Sequence, residues 1–284
     1  MIIYWKTLEK DAADPVTISE YMASPYFMRG LDISPITWDG WLEAKETWVF
    51  VSVDDPTGIF KVNANVTAKY SAGMRIKMVN GGNTIYGIIT VVNAYGADEA
   101  GYTYIKFLHE IDPTENLALH LMANSAITLP FYSTQKAPFG FPLDPNKWTV
   151  EVANTDYGTR TDPTAWTWYN LASISISVPI GIWNISYQVL AYVYDNASVG
   201  IVLTTLSTAN NSESDADLTI YNYLSFVGAT EVTFYAPVSK FKTLSVTTKT
   251  PYYLNLMTPL ASAGFLRLRG DKQKNIIRAV CAYL

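Results

Sequence analysis

The chain has 284 residues, 49% of them apolar and only 16% charged, with a net charge of -5. That length suffices for two compact domains. The low charge and 14% aromatic content exclude a disordered chain, and the acidic balance excludes a general nucleic-acid binder, which needs a basic face to displace counterions from phosphates. Residues 1–132 carry nine Lys/Arg and fifteen Asp/Glu, whereas 133–284 carry eleven and ten, so the acidic excess lies in the first half.

Residues 1–45 form a mixed N-terminal segment. Thr17 is placed to cap a short helix, with Glu20 at its third position. Trp5, Trp38 and Trp41 follow no regular alternation, so the segment reads as an anchor packed on the next domain or on a partner. Its opening residues lack a basic region followed by an apolar core, so no secretory signal is expected. Nor does the chain hold an 18-residue apolar run, and no transmembrane helix is expected. Such a protein is made in a cytoplasm, and would leave a cell by another route such as lysis.

Residues 46–132 read as a small β-barrel domain. Met74 to Val79 alternates apolar and polar in period two. Asn80-Gly81-Gly82-Asn83 is hairpin chemistry, because Gly and Asn tolerate positive φ. Further strands are predicted over 48–53, 59–66, 84–92 and 102–107. Several short strands joined by tight turns suggest an SH3-like or OB-like barrel. Residues 133–147 hold three prolines and a glycine and predict a stiff, extended linker.

Residues 148–284 predict a β-sandwich, most simply a jelly roll, with strands over 173–178, 182–194, 201–206, 218–226, 231–238, 252–257, 265–269 and 276–283. The long strand 182–194 carries Trp183, Ile185, Tyr187, Val189, Ala191 and Val193 on one face. Its other face starts polar and ends with Leu190, Tyr192 and Tyr194. The last strand is apolar and runs to the chain's final residue, which implies a central position in a sheet or cover by a neighbouring subunit. Cys281, the single cysteine, excludes an intrachain disulfide and reads as a buried small hydrophobe.

Three stretches, 133–152 (STQKAPFGFPLDPNKWTVEV), 205–219 (TLSTANNSESDADLT) and 275–284 (NIIRAVCAYL), resemble fibre-type virion proteins of tailed phages that infect Gram-positive hosts. A fourth, 68–92, is similar more weakly. The resemblance implies a C-terminal jelly roll of the trimeric kind, like the tumour-necrosis-factor and C1q heads. A threefold axis would need apolar outer surface, and Leu190, Tyr192, Tyr194, Val280, Ala282 and Leu284 are the candidate interface. The alternative is that these residues fill the sandwich of a monomer.

Chemistry-bearing constellations are sparse. His109 and His120 are eleven residues apart across Pro113 and do not give metal-ligand spacing. No G-x-S-x-G elbow, nucleotide-binding glycine motif or evident acid pair stands out, so neither a catalytic residue nor a cofactor is assigned. The run Ser212 to Asp217 offers oxygen ligands at alternating positions but lacks the Gly and terminal Glu of an EF-hand, so a solvated loop is the preferred reading over a calcium site. Trp166, Trp168 and Tyr169 form a candidate glycan platform, with the two tryptophans placed on one face of a strand by period two, because the C–H faces of sugars stack on aromatic rings; the competing reading is core packing. Arg267, Arg269, Lys272, Lys274 and Arg278 form a basic patch suited to an anionic wall polymer or to acids of a neighbouring subunit.

The expectation is therefore a non-enzymatic, homotrimeric virion surface protein. It would join other virion proteins through its N-terminal region and adhere to a host-surface glycan or wall polymer, without nucleic acid or membrane insertion. A head fibre or capsid decoration protein is the alternative. A glycan depolymerase is disfavoured.

Overall fold

The computed structural model describes residues 39–196, 199–225 and 232–284. The helix start at Thr17 and the anchoring Trp5 and Trp38 lie outside the described residues. Every regular element described is a strand or a short 3-10 turn, so the described residues are all-β.

The first part contributes β1 (Leu42–Glu43), β2 (Trp48–Asp54), β3 (Thr57–Val62), β4 (Arg75–Asn80), β5 (Asn83–Val92), β6 (Thr103–His109), β7 (Ile111–Asp112), β8 (Leu117–Ala118) and β9 (Ile127–Ser133). Seven of them form one sheet in the order β1-β9-β4-β5-β6-β3-β2, curled into a half-barrel. Of the expected SH3-like or OB-like barrel the described residues give this curled sheet, whose end strands β1 and β2 do not pair with each other. The β4–β5 hairpin follows the predicted turn: Asn80 pairs with Asn83, and Gly81 and Gly82 have φ of 59° and 84°. Its inner residues Ile76, Met78, Ile85 and Ile89 join Trp48, Phe60, Tyr70 and Phe107 in a core of its own. Trp48 stacks on Phe60 at 4.3 Å.

The second part contributes β10 (Thr149–Asn154), β11 (Tyr157–Thr161), β12 (Ser175–Val178), β13 (Gly181–Asp195), β14 (Val199–Ser207), β15 (Thr219–Ser225), β16 (Val232–Val246), β17 (Thr250–Met257), β18 (Ala263–Arg269) and β19 (Asn275–Cys281). One sheet runs β12-β17-β14-β15; the other runs β10-β19-β13-β18-β11, with β16 on β13's second edge. β18 and β19 both pair antiparallel with β13, end to end, and β10 and β11 continue that pattern outside them. The second sheet is thus four long strands, two of them interrupted at one level. At the interruption Asn275 Nδ2 donates to Asn154 Oδ1 and to the Asp156 carbonyl, and a Cβ at Gly270 would run into that carbonyl.

The two sheets face each other across one core. Trp183, Ile185, Tyr187, Val189, Ala191 and Val193 of β13 enter it, as the alternation predicts, together with Val202, Leu206, Leu254 and Leu256 from the opposite sheet. The buried Tyr187 hydroxyl meets the carbonyls of Thr204 and Leu218. β19 is central, between β10 and β13, as its apolar character implied, and Cys281 is buried.

The proline-rich stretch does not run free between the two parts. Phe141 stacks on Trp148 at 5.0 Å, and both belong to a core that also includes Trp41, Ile88 and Leu108 from the first part. Trp41, expected in an anchor, is wholly buried there, and its indole N–H donates to the Phe139 carbonyl.

Candidate binding surfaces

The predicted glycan platform is not on a strand. Residues 164–167 form a turn closed by Thr167 N–H to the Thr164 carbonyl, and Trp166 adopts φ +62°. The period-two reading fails because Trp166 N–H donates to the Thr258 carbonyl and Tyr169 pairs with Leu256, so the segment follows the β17 edge with a turn inserted. Trp166 is 68% exposed. Trp168 is half-buried, and Tyr169 packs against the core beneath the Arg160 guanidinium, 5.1 Å from its ring. The three residues share a loop but divide their roles: Trp166 is open to a ligand and Tyr169 supports the loop.

The six candidate interface residues fall in two places. Leu190, Tyr192 and Tyr194 lie on the outer face of the second sheet, as does Val280 of β19. Ala282 and Leu284 sit at the junction with the first sheet, where Lys136 Nζ reaches the Leu284 carbonyl and Leu284 packs on the shared core. Leu190, Tyr194 and Val280 remain half-exposed, whereas Tyr192 is only 7% exposed. Its cover comes from its own chain: Tyr235 packs edge-on at 4.9 Å, and the Arg267 and Arg269 guanidinium groups stand 5.2 and 5.8 Å from its ring. On the same face Phe241 is 80% exposed. Sequence reading stopped this strand at residue 238 and so missed Phe241; the alternation of buried Ala236, Val238, Leu244 and Val246 was the signal for it.

The basic patch separates. Arg278 pairs with Glu151 inside the chain. Lys272 and Lys274 are exposed. Arg269 makes two hydrogen bonds of 2.8 Å to the Asp271 carboxylate, which hold its pKa above the ordinary arginine value, and a third to the Tyr235 hydroxyl. Arg267 makes no hydrogen bond or ion pair among the described residues, although its Nε is out of solvent.

The remaining candidates are occupied. Lys242 Nζ bonds Asp215 and Asp217, and the Asp215 side chain caps a 3-10 turn. The buried Asn255 amide ties down the Ala209 and Ser212 carbonyls. These bonds make the 212–217 run a fixed, ion-paired loop. His109 lies buried on β6. Its Nδ1 lies 2.8 Å from the Pro56 carbonyl and its Nε2 accepts from Met122 N–H, so the neutral ring bridges two backbone segments, and burial lowers its pKa to about 4. His120 is exposed. Among the described residues no group of three His, Cys, Asp or Glu could hold a metal, and no helix is long and apolar enough to cross a membrane.

No family model matches the chain, and no curated protein matches it. Among solved structures, dimeric latent PorU from Porphyromonas gingivalis aligns with 91% of this chain at 11% identity and a TM-score of 0.26. The chain spans about a quarter (26%) of that structure's length, and the likeness carries no argument.

Proposed function

We propose that the chain is a non-enzymatic, fibre-type surface protein of a phage virion, trimeric through a jelly-roll head, that adheres to the host envelope. The sequence resemblance of 133–152, 205–219 and 275–284 to such proteins motivates the reading. The observation that carries it is the distribution of large exposed side chains over the head: Phe241 and Tyr235 on one sheet, Tyr221 and Tyr223 on the other, and Trp166 at an edge. Shallow contacts of this kind suffice when several copies bind together, because effective concentration multiplies weak sites. In this reading self-association centres on Phe241, Leu190 and Val280, the outer-face positions that their own chain leaves open.

Sedimentation of the purified chain with Gram-positive cell walls tests adhesion. Binding that is lost when Phe241 and Trp166 are both replaced by Ser supports it, and absence of sedimentation overturns it. A capsid decoration role is the second reading. It is favoured by Leu117, Leu119 and Leu121, all at least 40% exposed around the β7–β8 hairpin of the first part. Co-sedimentation with phage capsids and not with walls would select it.

A further inference from the structure

The upper end of the second sheet's outer face holds an unusual arrangement of aromatic rings and arginines. Tyr192 lies across from Arg267 on one side and from Tyr235 on the other, and Tyr157 lies across from Arg269. Arg267 stands 4.3 Å from the Phe265 ring, 5.2 Å from Tyr192 and 6.0 Å from Tyr157. Tyr157 and Tyr235 are 47% and 45% exposed.

The two guanidinium groups differ in what they still lack. Arg269 is spent on Asp271 and Tyr235. Arg267 is positioned by the rings but donates to nothing among the described residues, and Asp271 is already taken by Arg269. A guanidinium stacked on aromatic faces keeps its donors at its edge and loses little freedom when it binds a planar or tetrahedral anion. Its Nε is out of solvent, so an incoming oxygen meets the Nη groups. Beside it, the exposed Tyr157 ring offers the apolar face and hydroxyl that a sugar ring uses.

We propose that this face binds an acidic saccharide unit, a carboxylate or phosphodiester group seated on Arg267 with the neighbouring sugar or polyol against Tyr157. The site borders the self-association surface at Leu190, two residues from Tyr192 on the same face, and stands clear of its Phe241 end. Tyr192 and Ser186, the latter across from Phe241, are six residues apart on β13, about 20 Å at the strand rise. The inference rests on the adhesion reading and names the class of receptor, but its test needs no host cell.

Calorimetric titration of the full chain with galacturonate oligomers and, separately, with glycerol-phosphate oligomers distinguishes the carboxylate and phosphodiester sources; dextran oligomers serve as the neutral probe. The expected result is binding to one anionic series and not to dextran. Arg267→Gln should weaken it at least tenfold, Arg267→Lys should weaken it less, and Lys274→Gln should change it under twofold. The proposal is overturned by no binding to either anionic series, by equal loss from Lys274→Gln, or by a change in native mass in Arg267→Gln, which would make the face a contact between copies. Wall sedimentation that persists in Arg267→Gln would sink this site and leave adhesion standing.

Discussion

Arg75 Nη2 donates to the carbonyl of Tyr283 across 2.9 Å, joining the fourth strand of the chain to its penultimate residue. The same buried guanidinium bonds the carbonyls of Gly73 and Lys136, and no carboxylate pairs with it among the described residues. Burial lowers its pKa, although it remains a cation. One side chain thus fastens the half-barrel, the proline-rich stretch and the end of the head together. Replacing Arg75 by Ala strands three carbonyls and should cost about 2–4 kcal/mol. Deleting residues 283–284 removes part of the same contact, so the two changes should be less than additive in urea unfolding. Full additivity would mean that the clamp does not couple the two ends.

His109 makes stability pH-dependent. Its folded pKa of about 4 lies below the ordinary histidine value of 6.5 because the ring is buried. The unfolded chain therefore binds the proton first as pH falls, and protonation removes the Nε2 acceptor that Met122 N–H uses. The contribution is complete above about pH 6.5 and is lost between there and pH 4, about 3 kcal/mol in all. Urea midpoints measured from pH 7.5 to 4 should fall across this window, and the slope should flatten in His109→Gln. A wild-type profile flat through the window would refute the assignment.

Side chains tie down the 208–217 loop. Asn255, fully buried, bonds the Ala209 and Ser212 carbonyls and accepts from Asn211 N–H. Asn255→Leu should open the loop to limited proteolysis between residues 208 and 217 while the rest of the head resists. Excess chelator should leave the melting temperature of the wild type unchanged; a chelator-induced drop would restore the calcium reading.

The exposed and buried tryptophans should respond oppositely to removal. Trp183 is wholly buried in the sandwich core, and Trp183→Ala should cost about 3–5 kcal/mol. Trp166→Ala should change stability by no more than about 0.5 kcal/mol, because the side chain faces solvent. Differential scanning calorimetry of the two variants separates them. Strong destabilisation by Trp166→Ala would make the residue a packing element and remove it as a ligand contact.

What was legible in the sequence was periodic. The β4–β5 hairpin and the inward face of β13 read directly from alternation and turn residues, since one buried face enforces period two. β9 was missed because Leu129 takes φ +48° beside Pro130 and the register with β4 slips there. β16 was cut short after Pro237, yet proline is tolerated there because, among the described residues, β16 pairs only with β13. The clamp from Arg75 to Tyr283 and the ring stack around Arg267 join residues distant in sequence, which no local pattern encodes. The glycan platform was misplaced on a strand because Trp166 and Trp168 mimic alternation within a turn.

The outer face of the second sheet makes the last prediction. Phe241 is too exposed for a core residue, and with Leu190 and Val280 it leaves apolar surface that self-association would cover. Light scattering coupled to size exclusion should give close to three times the 31.6 kDa chain mass. Phe241→Lys should lower that mass without unfolding the head, because its side chain touches solvent in the single chain and a charge there costs only the association. Tyr221→Lys, on the opposite sheet, should leave the mass unchanged. A wild-type monomer would end the trimer proposal for the isolated chain, and loss of mass in Tyr221→Lys but not in Phe241→Lys would move the interface to the other sheet.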